Sequence, residues 1–162
     1  MKNKKTIYLT QAAMIAALYV VLTMIANAFG LASGAIQIRL SEMLSVLPYF
    51  TSAAIPGLFL GCLLSNVLTG CCLLDIVIGS LATLIGAVGA YLVRKYKWLV
   101  PFPNIISNTV LVPLVLIYGY GLKDALWYLV LTVGAGEIIS GGIFGMILLF
   151  ALKKAARIFR TA

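Results

Sequence analysis

Histidine is absent from the 162 residues, acids number only four, and charged residues of all kinds make up 10% of the chain. Each shortage closes off a class of function. Without imidazole there is no His-based acid–base chemistry and no His-bearing metal site. The three cysteines, Cys62, Cys71 and Cys72, form no C-x-x-C pair, and their odd number argues against a closed disulfide framework. They read as ordinary buried thiols. There is no G-x-x-x-x-G-K-[ST] stretch, so the chain has no P-loop with which to hydrolyse ATP. Neither a Ser/His/Asp set nor a metal motif appears. No enzyme activity, cofactor or metal is expected, and a binding or transport role is favoured.

What the chain has in abundance is apolar surface. Hydrophobic residues make up 63% and the mean hydropathy is +1.12, against about 45–50% apolar in soluble domains. Long apolar runs interrupted by Gly and Pro favour helices over the strict alternation of a barrel. The expectation is an all-α integral membrane protein, multi-pass in the cell membrane, with residues 1–162 forming a single domain. The net charge of +8 comes from 12 Lys+Arg against 4 Asp+Glu. The basic residues flank hydrophobic runs, which reads as orientation in a bilayer rather than as a nucleic-acid surface. Lys2, Lys4 and Lys5 ahead of an apolar run and Ala26-Asn27-Ala28 superficially match a cleavable leader. The run from Ile7 past Leu22 is longer than a usual leader core, so it is read as a first membrane helix.

Six membrane segments are expected, the second of them short. The first runs from about Ile7 to Phe29. Within it Ala12 and Ala16, and likewise Ala13 and Ala17, repeat at four-residue spacing. Such small faces allow close helix packing, either inside the protein or against another membrane subunit. A loop from Phe29 to Ile38 leads to the polar stretch GAIQIRLSEMLSVLPYF, Gly34 to Phe50. Its helix, from about Ser41, would rise only ~15 Å as α-helix, half the ~30 Å hydrocarbon thickness, with Pro48 bending its end. The third segment spans about Ala54 to Thr69, the fourth about Leu73 to Val93, the fifth about Asn104 to Tyr118 with Pro113 as a kink. The sixth starts near Ala125. With alternating segments, ten basic residues (Lys2, Lys4, Lys5, Arg94, Lys95, Lys97, Lys153, Lys154, Arg157, Arg160) fall on one side, and Arg39 and Lys123 on the other. That asymmetry places both termini in the cytoplasm. No repeat between the halves supports an inverted-repeat transporter.

The four acids, Glu42, Asp75, Asp124 and Glu137, all then fall on the outer half or near the midplane. Asp124 adjoins Lys123 in a turn and reads as a solvated helix-start carboxylate. Glu42 and Arg39, three apart, can form a structural pair or belong to a site. Asp75 can cap its helix or face a ligand. Glu137 lies deep inside a hydrophobic helix within GAGEIISGG, with no nearby base, and an intramembrane carboxylate of that kind is a functional residue by default. Asn66 and Asn108 are explained by interhelical hydrogen bonds or by a site. Phe29, Tyr118, Tyr120, Trp127 and Tyr128 gather near the same mouth, where they can stack on a flat ring or serve as an interfacial belt. Several carboxylates with one nearby Arg favour a ligand rich in N–H donors or carrying a cation.

GAIQIRLSEMLSVLPYF, IPGLFLGCLLSNVL, LLDIVIGSLATLIGA and the GAGE of the last helix, in that order, resemble the QueT family over nearly the whole chain, Thr10 to Leu152. These are queuosine-precursor transporters, the substrate-binding S components of energy-coupling factor (ECF) importers. The resemblance implies a six-helix fold with the ligand held on the extracellular side. It also implies two kinds of partner, a transmembrane coupling subunit and two cytoplasmic ATPases. In S components an Ala-x-x-x-Ala face of the first helix packs on the coupling subunit, and Ala12/Ala16 or Ala13/Ala17 match it. The implied ligand is a 7-deazaguanine base, whose N–H edge suits one carboxylate and whose aminomethylated form brings a cation for a second. The expected binding residues are Arg39, Glu42, Asn66, Asp75, Asn108, Trp127 and Glu137, with Glu137 as the pocket floor and Arg39 and Glu42 on the lid side. The alternatives are an S component for another vitamin, or a free-standing secondary transporter of a nucleobase-like amine. Cys71-Cys72 stand where the family resemblance leads one to expect a Pro/Gly turn.

Overall fold

The computed structural model describes residues 3–31 and 37–154. Gly34 at the start of the polar stretch, and Lys2, Arg157 and Arg160 of the charge count, lie outside the described residues.

Every element among the described residues is helical. Helix α1 spans Lys4–Ala28; a 3₁₀ helix spans Leu40–Tyr49; α2 spans Ala54–Leu68. A π turn, Asp75–Gly79, runs into α3, Ser80–Leu92, and α4 spans Phe102–Tyr118. Helix α5, Leu126–Glu137, passes through a π segment, Ile138–Phe144, into α6, Gly145–Lys154. Four helical stretches are long and apolar enough to cross a membrane: Lys4–Ala28, Asp75–Leu92, Lys97–Tyr118 and Leu126–Lys153. The helical stretches fall where hydropathy placed them, to within a few residues. Pro113 does not interrupt α4.

The second segment departs from expectation. It is a 3₁₀ helix ten residues long, whereas 3₁₀ runs beyond three or four residues are uncommon because their hydrogen bonds are poorer. Packing explains it. The segment is buried from Leu44 to Pro48 and at Ser41 and Glu42, and it lies along a glycine groove on the last helical run. A Cβ at Gly136 would sit 2.2 Å from the Gln37 carbonyl oxygen, and one at Gly145 would sit 3.0 Å from Val46 Cγ1. A thin helix in a narrow groove buries more of itself than an α-helix could, and tertiary contact overrides local preference. At ~2.0 Å per residue it also reaches ~20 Å rather than ~15 Å.

The contacts fix the direction of each element. On α2, Gly57 lies against Ala12 and Ile15, and Gly61 against Ala16 and Tyr19, so α1 and α2 run parallel. The 3₁₀ helix is antiparallel to α1, because Thr51 meets Gln11, Glu42 meets Tyr19 and Ser41 meets Thr23. Helices α3 and α4 are antiparallel, with Ser107 bonded to the Ala82 carbonyl and Pro103 against Gly89. The 3₁₀ helix runs parallel to the final helical stretch, from Gln37 at Gly136 to Val46 at Gly145. Lys4 and Lys153, with Arg94, Lys95 and Lys97 after α3, therefore share one end of the bundle. The ends of α1, α2 and α4 meet at the other. The central core joins Ile15, Tyr19, Leu44, Leu47 and Leu58.

Candidate functional site

At the end of the bundle remote from those basic residues is a cavity of about 340 Å³, within the ~300–1,000 Å³ usual for small-molecule sites. Its wall is built from the last turns of α1 and α2, the approach to the 3₁₀ helix and the α2–α3 and α4–α5 connections. Tyr19, Thr23, Arg39, Ser65, Asn66 and Asp75 supply its polar lining, with Tyr120 and Cys71 at the connections. A second hollow of about 230 Å³ adjoins it, sharing Gln37, Leu116 and Leu122 and adding Asp124 and Tyr128.

Asp75 is the carboxylate on the main cavity and is only 4% exposed. It stands in the first turn of the π segment, and its side chain caps nothing. Oδ2 accepts the Tyr120 hydroxyl at 3.0 Å, whereas Oδ1 has no hydrogen-bond partner. The Asn66 amide donates to the Asp75 carbonyl at 3.2 Å. Gly79, one π turn on, leaves room for both side chains, since a Cβ there would meet Asp75 Oδ1 at 2.8 Å and Asn66 Nδ2 at 3.3 Å. Tyr120 also accepts the Cys72 amide N–H at 3.3 Å. Burial, the Cys71 thiol and the Asp75 charge together push the Tyr120 phenol above its usual range, so it remains a donor at neutral pH. Arg39 is half-buried on the opposite wall. Burial works against its charge, but Asp75 first and Glu42 next outweigh that and hold its proton more tightly than usual.

Glu42 does not pair with Arg39 and does not line the cavity. The three-residue spacing assumed that both residues stand on one helix; Arg39 is the extended residue ahead of the 3₁₀ helix, and Glu42 in its first turn faces inward, where it is 1% exposed. There Tyr19 Oη donates to Oε1 at 2.5 Å, Asn104 Nδ2 to Oε2 at 2.8 Å, and Asn108 Nδ2 to Oε2 at 3.4 Å. Donors from α1 and α4 thus satisfy both oxygens of a side-chain carboxyl group buried in the core, as burial of a polar group requires. Glu137, 4% exposed, is in the same polar interior, with Oε2 lacking a hydrogen-bond partner. It lies beneath the cavity wall, not on it. Asn108 is buried with Glu42 rather than at the mouth. Trp127 is 67% exposed and edge-on to Tyr128, and it lines neither hollow. Phe29 and Tyr118 are exposed too.

The structure therefore joins Arg39, Asn66 and Asp75 around one space and gathers Glu42, Asn108 and Glu137 below it. Asp124 is exposed and caps no helix; α5 begins after Ala125 without a side-chain cap. The two alanine faces part company. Ala12 and Ala16 are buried against Gly57 and Gly61 of α2, whereas Ala13 and Ala17 are exposed. Sequence reasoning missed Tyr19 and Asn104. The available signal was that Tyr19 stands mid-helix in an apolar run, where an interfacial belt has no use for it.

A family model described as QueT transporter matches residues 9–154. A queuosine precursor transporter QueT from Lactococcus lactis subsp. cremoris (strain MG1363) is 37% identical over 98 residues, which cover 60% of this chain and 57% of that protein. The aligned part thus spans little more than half the length of that relative. No solved structure matches. The family match takes in the polar 3₁₀ stretch, the Asp75 turn and the Glu137 helix alike, and the chain belongs to the QueT transporter family.

Proposed function

We propose that the chain is the substrate-binding S component of an ECF-type importer and captures a queuosine precursor, a 7-deazaguanine base. The observation that carries this reading is the cavity, polar on the walls supplied by α1, α2 and the Asp75 turn, at the end of the bundle away from the basic residues. By the positive-inside rule that end is extracellular, both termini are cytoplasmic, and the bundle crosses the bilayer six times, counting the 3₁₀ segment and α2. Asp75 accepts the ligand's N–H or ammonium group, Asn66 steadies Asp75 through its backbone, and Arg39 donates to the ring carbonyl. Glu42, Asn108 and Glu137 form the polar bed that fixes Tyr19 and the cavity floor. Ala13 and Ala17 are the alanines left to receive the coupling subunit, behind which two ATPases supply energy.

Calorimetric titration of the purified protein tests this. Saturable binding of 7-aminomethyl-7-deazaguanine, with none of riboflavin, thiamine or biotin, is expected, and Asp75→Asn should weaken it at least about tenfold through loss of a charge-assisted hydrogen bond. Binding of a vitamin instead of any deazapurine would leave an S component of other specificity. Uptake by cells lacking ECF ATPases would mark a free-standing transporter.

A further inference from the structure

We propose that Tyr120 is a displaceable gate whose hydroxyl holds, on Asp75, the place of the ligand's own donor. The inference rests on the cavity being the ligand site proposed above, and it adds the residue that controls entry and the chemistry a ligand must bring. Asp75 is the carboxylate lining the cavity, and one of its oxygens is already taken, by a side chain from the α4–α5 connection rather than from the bundle. The same hydroxyl takes the Cys72 N–H, so two bonds to one atom fasten the α4–α5 connection to the α2–α3 connection across the mouth. Tyr120 is 45% exposed and lies between Gly119 and Gly121, and Gly121 has the positive φ of 68° that an L side chain resists.

The exchange has a chemical direction. A phenol brings one neutral donor to the carboxylate, whereas an ammonium adds a full opposite charge and a guanine-like edge brings two N–H donors side by side. Asp75 Oδ1, buried and without a partner, is available to a second N–H once the ring swings away. A ligand offering only acceptors, or an anion, has nothing with which to displace the hydroxyl. The gate therefore selects cationic or N–H-rich ligands before any contact deeper in the cavity is made.

The test is the sign of the effect of Tyr120→Phe, which keeps the ring and removes both hydrogen bonds. With 7-aminomethyl-7-deazaguanine as probe, association is expected to be faster and affinity higher, by about threefold to tenfold, because the ligand no longer has to displace the hydroxyl from Asp75. Weaker binding with unchanged association would make Tyr120 an ordinary ligand contact and overturn the gate. A second variant closes it. A Cβ built at Gly119 lies 2.8 Å from Cys72 Sγ, near the ~3 Å between a Cβ and the far sulfur of a disulfide. Gly119→Cys, oxidised, is expected to exclude the probe, and reduction to restore it. Binding to the oxidised, cross-linked protein would also overturn the proposal. A third readout needs no ligand. With Cys72→Ser leaving Cys71 as the cavity thiol, a charged maleimide is expected to label Cys71 faster when Tyr120→Phe is added. If labelling accelerates while no deazaguanine binds, the substrate reading fails and the gate stands; if the probe binds and labelling is unchanged, the gate fails and the substrate reading stands.

Discussion

Glu42 shows how a single carboxylate can change its meaning between sequence and structure. Its neighbour Arg39 is three positions away, which on an α-helix is a pairing distance. Arg39, however, is the extended residue ahead of the 3₁₀ helix (φ −96°, ψ 96°) and not a member of it, and the carboxylate is held by Tyr19, Asn104 and Asn108 instead. No local pattern in the sequence announces those donors, because they come from helices more than twenty residues away in either direction. The chemistry of Glu137 and Asp75 was legible, since an acid in so apolar a chain has few ways to exist; which of them borders open space was not. Truncating Glu42 strands three buried donors. Glu42→Ala is therefore expected to lower unfolding stability by about 2–4 kcal/mol, and Glu42→Gln by less, because the amide retains an acceptor oxygen. Thermal unfolding in detergent measures this, and equal stability of the two variants would contradict the hydrogen-bonded role.

At the scale of elements, hydropathy located the helices well because burial in lipid demands continuous apolar runs, and this demand is written residue by residue. The π segments and the 3₁₀ helix were not legible, since their form depends on what they touch. The last helix is glycine-rich in sequence, but the face made by Gly136, Gly141 and Gly145, and its occupant, the 3₁₀ helix, could be identified only from the fold. Gly136→Ala places a methyl against the Gln37 backbone, which has no rotamer by which to yield. It is expected to cost about 1–3 kcal/mol as overpacking and, by shifting Gln37 on the cavity wall, to weaken ligand binding as well. A change in binding without a change in melting would argue against this account. The alanine faces offer a cleaner contrast. Ala16→Leu drives a side chain into α2 at Gly61 and is expected to destabilise the isolated protein. Ala17→Leu changes an exposed position and is expected to leave melting and ligand binding intact while abolishing uptake, on the proposal that this face receives a coupling subunit. Normal uptake by Ala17→Leu would place the docking surface elsewhere.

Over the whole molecule, composition established an all-helical, membrane-embedded chain, and charge asymmetry anticipated which ends of the helices lie together. The parallel pairing of α1 with α2 and of the 3₁₀ helix with the last stretch bears on length. Helix α2 has 15 residues, about 22 Å of rise, and the 3₁₀ helix contributes ~20 Å, both well short of ~30 Å of hydrocarbon. Helix α2 nevertheless shows Leu60, Leu64, Val67 and Leu68 to its surroundings. With α2 as one of the proposed spans, thinning of the bilayer on this flank is one response to its length, at a fraction of a kcal/mol for each ångström. The end of α2 carries Asn66 and its C-cap Thr69 on the cavity wall, so lipid strain there bears on the proposed binding end. Reconstitution into bilayers of graded acyl-chain length should therefore show ligand affinity falling as the membrane thickens, and a flat profile would contradict it. The thickness of the host membrane becomes, through one short helix, a mechanical input to what the cavity holds.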